Sequence, residues 1–154
     1  MPIKSLVSFL VVILGMSGQH SLADEGLLEG YTWQNRLLLI FAPRADDPRL
    51  RAQNEILATV EPALRERDLL VLRLLPDSPV SIDKRPVAGS EATTIYRDFA
   101  IDRSAFAVLL IGKDGGVKLS SETSVAANTL FDLIDSMPMR QWEMQNKAGS
   151  NPQE

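Results

Sequence analysis

The chain has 154 residues, 45% of them hydrophobic and 23% charged, which suits one globular domain with one core and leaves too little for two. A formal charge of -4 argues against nucleic acid as the main partner, because neutralising phosphates takes a concentrated basic surface. There is no cysteine, so neither a disulfide nor a thiolate redox centre can form.

Met1 to Lys4 is a short basic start, and Ser5 to Met16 follows as an uncharged run of mainly Leu, Val, Ile and Phe. Ser17, Gly18 and Gln19 break that run, and Ser21-Leu22-Ala23 places small residues at the third and first positions before Asp24. This is the pattern of a signal peptide over residues 1–23, cleaved between Ala23 and Asp24. The run is about a dozen residues, whereas a spanning helix needs about 20, so no stable membrane span is expected after cleavage. The expected location is periplasmic or secreted.

Within the mature chain, Arg36 to Ala42 is a continuous apolar run closed by Pro43, as expected of a strand buried on both faces. Asp46-Asp47-Pro48 then opens a helix to about Arg67, with Asp as N-cap, Pro at the first helical position, and a kink or break near Val60 because of Pro62. Asp68 to Leu75 is a second apolar run, and the two runs with their crossover make a right-handed βαβ unit. Pro76 to Gly89 has no steady period and is expected to be an irregular loop. Glu91 to Ala100, after a Ser90 cap, suits a short helix with Ile95, Tyr96 and Phe99 on one side.

Phe106 to Ile111 and Val117 to Ser120 flank Gly112-Lys113-Asp114-Gly115-Gly116, and an Asp-Gly pair between β-prone runs signals an antiparallel hairpin. Val125 to Ser136 reads as a last amphipathic helix before Pro138, with residues after Met144 frayed and 145–154 a disordered tail. This order describes an α/β, thioredoxin-like fold over residues 24–144. Its centre is a mixed four-stranded sheet, a βαβ unit plus a C-terminal hairpin, flanked by helices.

Three stretches carry a resemblance to a known family. They are Trp33-Gln34-Asn35-Arg36 leading into the first strand, Phe41-Ala42-Pro43 with Asp46 to Leu50 after it, and Gly112 to Lys118 followed by Met137-Pro138-Met139-Arg140. Together they resemble the bacterial domain of unknown function 4174, itself similar to a peroxiredoxin-like domain of some animal extracellular matrix proteins. The resemblance implies a thioredoxin-like fold and an exported protein. It does not bring the redox chemistry of that fold, which places a low-pKa cysteine just after the first central strand, where this chain has Pro43 to Pro48. The stretch Ile101 to Ala107 also lacks the proline that oxidoreductases of this fold carry before the hairpin.

Arg44, Asp46, Asp47 and Arg49 crowd the loop where such a fold keeps its active site and are candidates for binding a polar ligand. A helix start also recruits Asp as a cap, and Arg49 as a solvated charge, without any ligand. Trp33 and Trp142 are candidate protein-binding aromatics, or covers for an open edge of the domain. The only histidine, His20, lies in the leader, so the mature chain offers neither a zinc site nor a base for a serine nucleophile, and no loop has EF-hand spacing. No catalytic residue, metal or cofactor is assigned. The expected function is a non-redox binding or structural protein acting on an envelope or extracellular protein; the alternative is an enzyme or small-ligand binder using the polar loop after the first strand.

Overall fold

A computed structural model describes residues 26–82 and 85–149; the leader, its expected cleavage site at Ala23 and Asp24, and residues 150–154 lie outside them. The sheet is built on β1 (Arg36–Phe41), every residue of which is buried. β2 (Leu69–Leu74) pairs parallel to one side of β1, and β5 (Ala107–Ile111) pairs antiparallel to the other. β6 (Val117–Ser121) closes the order β2-β1-β5-β6. Successive side chains of a strand point to opposite faces, and an uninterrupted apolar run can therefore serve two cores at once.

One core takes Leu37, Leu39 and Phe41 from β1 and packs them beneath α3 (Gly89–Asp98) through Ile95 and Tyr96. Tyr96 meets Phe41 edge-on at 5.1 Å and donates its hydroxyl hydrogen to the Leu74 carbonyl at 2.8 Å, so the buried phenol is satisfied. The other core takes Leu38 and Ile40 and is covered by α1 (Pro48–Ala58), α2 (Glu61–Glu66) and α4 (Ala127–Asp135). Full burial of one leucine contributes about 1.5–3 kcal/mol, and β1 is the strand on which both layers depend.

The helical crossover breaks near Val60 as expected. α1 ends at Ala58, with Thr59 as its C-cap, and α2 starts at Glu61 with Pro62 in its first turn, where a missing N–H costs nothing. The hairpin between β5 and β6 turns at Gly112 to Gly116, with Gly115 at φ 78° and Asp114 accepting from the Gly116 N–H.

Elsewhere the structure departs from expectation. The stretch read as an irregular loop folds into a small hairpin, β3 (Val80–Ile82) with β4 (Arg85–Val87), which lies beside β2 and adds Val80, Ile82 and Val87 to the first core. Alternation over three residues is too short to stand out among four prolines and glycines. α3 begins at Gly89, not after Ser90, because the Glu91 carboxylate accepts from the Ala88 N–H at 2.8 Å and anchors the helix start there. α4 begins at Ala127. Val125 before it is clamped by the buried Gln53, which accepts from its N–H at 2.7 Å and donates to its carbonyl at 3.1 Å. A further helix, α5 (Pro138–Gly149), follows, running past Met144, where the sequence reading ends the ordered domain.

Candidate functional site

The loop after β1 brings its four candidates together only in pairs. Arg44 grips Asp46 with Nε and Nη2, both at 2.9 Å, in an exposed fork. Asp47 is the N-cap of α1: its Oδ1 accepts from the Arg49 N–H at 2.8 Å, and its Oδ2 takes Arg49 Nη2 at 2.7 Å. The Arg49 guanidinium also lies over the Phe106 ring at 5.0 Å. The guanidinium hydrogen bond from Arg49 holds the Asp47 carboxyl below its ordinary value, and the one from Arg44 does the same for Asp46. Each carboxylate here is thus matched by an arginine of the same loop, an arrangement that fixes the loop and caps a helix.

A different set of charges gathers at the other end of β1. Because β5 runs antiparallel to β1, its turn returns beside Arg36, away from the Phe41 loop. Arg36 is 1% exposed and forks onto Glu143 of α5, Nη1 and Nη2 each at 3.2 Å, while Nη1 also donates to the Arg67 carbonyl at 2.9 Å. Lys113, in the turn, reaches Glu143 and Asp68, both at 2.8 Å. Arg140 of α5, equally buried, donates to Asp135 at 3.0 Å and to Glu66 at 2.7 Å. Arg67 completes the set, bonding Asp135 at 2.6 Å and lying over Phe131 at 4.4 Å. Burial works against ionised Glu143, but the hydrogen bonds from Lys113 and Arg36 outweigh it and hold its carboxyl below the ordinary value. Asp135 is held down in the same way, against burial, by Arg67 and Arg140.

Beside this network opens a groove of about 530 Å³, within the size range of small-ligand sites. The β5–β6 turn forms one wall, with Lys113 and Lys118; the junction of α4 and α5 forms the other, with Leu133, Met137 and Met139. Trp33 stands on the rim, 67% exposed and held at φ 66° by the bond from its N–H to the Lys113 carbonyl. A positive φ is uncommon for so bulky a residue and stores strain. Trp142, 65% exposed on α5, does not line the groove, although the next residue, Glu143, belongs to the network behind it.

Sequence reasoning finds Trp33 and misses Arg36, Lys113, Arg140 and Glu143 as a group. Their signal is faint: Arg36 is a lone charge opening an apolar run, and Arg140 follows the Met-Pro-Met triplet. Among the described residues, no three His, Cys, Asp or Glu side chains are arranged to hold a metal ion. No described helix is long and apolar enough to cross a membrane.

Comparison with known proteins places this architecture. Residues 27–143 match the family described as Domain of unknown function (DUF4174). The chain belongs to that family. A curated relative of the DUF4174 chain is Coiled-coil domain-containing protein 80 of Danio rerio, 33% identical over 138 residues, which cover 78% of this chain and 16% of that protein. The match is therefore to one part of a much longer polypeptide. Among solved structures, the reduced 2-Cys peroxiredoxin of Plasmodium vivax is similar, with a TM-score of 0.56 at 18% identity, covering 76% of this chain and 84% of that one. Thioredoxin peroxidase I of Plasmodium yoelii gives 0.54 at 18% identity, covering 80% and 82%. These likenesses show that the DUF4174 chain has the thioredoxin-like fold. The absence of cysteine from the sequence separates that fold from thiol chemistry here.

Proposed function

We propose that this DUF4174 chain is an exported, non-redox binding domain that holds another protein of the envelope or extracellular space at the Arg36 end of its sheet. One observation carries the reading. The large apolar side chains exposed among the described residues are Trp33, Val117 and Trp142, and their three segments converge at this end. The Trp33 N–H bonds to Lys113 in the turn, Val117 opens the strand after it, and Trp142 adjoins Glu143, which pairs with Lys113. Exposed aromatics at an otherwise well-paired surface are the residues that anchor protein interfaces. The loop after β1, by contrast, spends its arginines on its own carboxylates.

The test is a photo-crosslinking amino acid placed at Trp33 or Trp142 in the producing cell, with the captured protein then identified. Alanine at either tryptophan should abolish capture of that protein, while substituting Arg44, Asp46, Asp47 and Arg49 together should leave it intact. The opposite pattern moves the site to the polar loop and sinks the reading. Export is checked separately by intact mass: protein beginning at Asp24 in a soluble extracytoplasmic fraction supports it, and Met1 to Ala23 retained in membranes refutes cleavage.

A further inference from the structure

We infer that the groove beside Trp33 binds an extended peptide segment in which apolar side chains flank a carboxylate. This deepens the binding-domain reading and rests on it. One side of the groove is apolar and adaptable, since Leu133, Met137 and Met139 present a leucine and two unbranched thioethers. The other side turns cationic groups toward the groove: its lining carries Arg36, Lys113 and Lys118 with Asp114, while Glu143 and Asp68, which pair with Arg36 and Lys113, lie outside the lining.

These cations differ in what they can offer a ligand. Lys113 is committed to Asp68 and Glu143. Among the described residues the ion partner of Lys118 is Asp114, in a pair open to solvent on both sides, which exchanges at little cost. Arg36 is the telling residue, because its Nε is buried with no acceptor in reach among the described residues while the rest of its guanidinium is engaged. A buried donor left unpaired is costly, and an acceptor brought by a ligand relieves that cost. An occupant with apolar side chains for the methionine wall and a carboxylate for Lys118 and Arg36 complements both sides. Trp33, exposed in the lining of the groove, offers it an aromatic face as well.

The experiment uses the full chain with both tryptophans kept, of which Trp33 lines the groove and Trp142 does not. The tryptophan emission is titrated at low salt with a capped pentapeptide of sequence Ala-Leu-Phe-Glu-Leu, with its Gln counterpart, and with sodium decanoate. The acidic peptide is expected to give a saturable blue shift and to bind ~10-fold more tightly than the Gln peptide. Lys118→Gln should bring the two affinities together without moving the melting temperature, and Met137→Ala should weaken both peptides alike. Equal affinity for the two peptides in the unaltered chain overturns charge recognition. Saturable binding of decanoate with none of either peptide overturns the peptide assignment in favour of an amphiphile. Silence from all three probes, with crosslinking at Trp33 intact, overturns this inference and leaves the binding-domain reading standing; silence together with loss of crosslinking removes both.

Discussion

Arg140 enters the interior at 1% exposure and emerges with its Nε on Asp135 and its Nη2 on Glu66. Removing it leaves Asp135 and Glu66 to Arg67 alone and takes away two charge-assisted hydrogen bonds, so Arg140→Ala should cost about 2 kcal/mol in urea unfolding. Arg140→Lys should recover only part of that, because one ammonium cannot fork to both acceptors. Gln53 offers a cleaner case of the same logic: Gln53→Leu keeps the bulk but leaves the Val125 N–H and carbonyl buried and unpaired, a loss of about 2 kcal/mol by the same measurement. The pH dependence follows from the carboxyls that are held low. Glu143 and Asp135 titrate below their unfolded values near 4, so their stabilisation is full above roughly pH 5 and is lost as pH falls through that range. The melting temperature of the native chain should therefore drop more steeply on acidification below about pH 5 than that of Glu143→Gln, which has already lost one of these groups.

α5 is an element fastened by charge. Its only fully buried residue is Arg140, and Glu143 one turn later is its second attachment. Such a helix draws little on apolar burial, and its amides should open at lower free energy than those of β1. In native-state hydrogen exchange, α5 is expected to exchange first, with Glu143→Gln speeding it further and leaving β1 unchanged. The same physics explains why this helix is invisible to hydrophobic periodicity: Met139, Trp142 and Met144 make no continuous apolar stripe over Pro138 to Gly149. β1 and α1 are the contrasting cases. A six-residue apolar run, Leu37 to Ala42, and an Asp-Asp-Pro start each carry a local physical cause, and both elements begin where the sequence puts them.

At the scale of the molecule, β1 links two charged clusters at its ends. From Arg36 to Phe41 the strand spans roughly 16 Å, and the clusters share no ion-pair partner. Asp47→Ala and Arg140→Ala should thus add in stability to within about 0.5 kcal/mol when combined, as double-mutant unfolding would read. Leu38→Ala, in the strand between, should cost about 3 kcal/mol or more, because it empties the middle of the second core. By itself the amino-acid sequence determined the central strand, the break near Val60, an aspartate cap at the start of α1, the turn at Gly115 and the exclusion of thiol chemistry. Each of these follows from neighbours along the chain or from composition, so each leaves a local mark. The choice of Asp47 over Asp46 as that cap came from the structure. Only the tertiary structure decided that Arg36, Lys113, Arg140 and Glu143 meet at one end of the sheet with Trp33 above them. Partners as far apart in sequence as Arg36 and Glu143 impose no period on the residues between them, and the antiparallel return of β5 alone brings the Lys113 turn to their side.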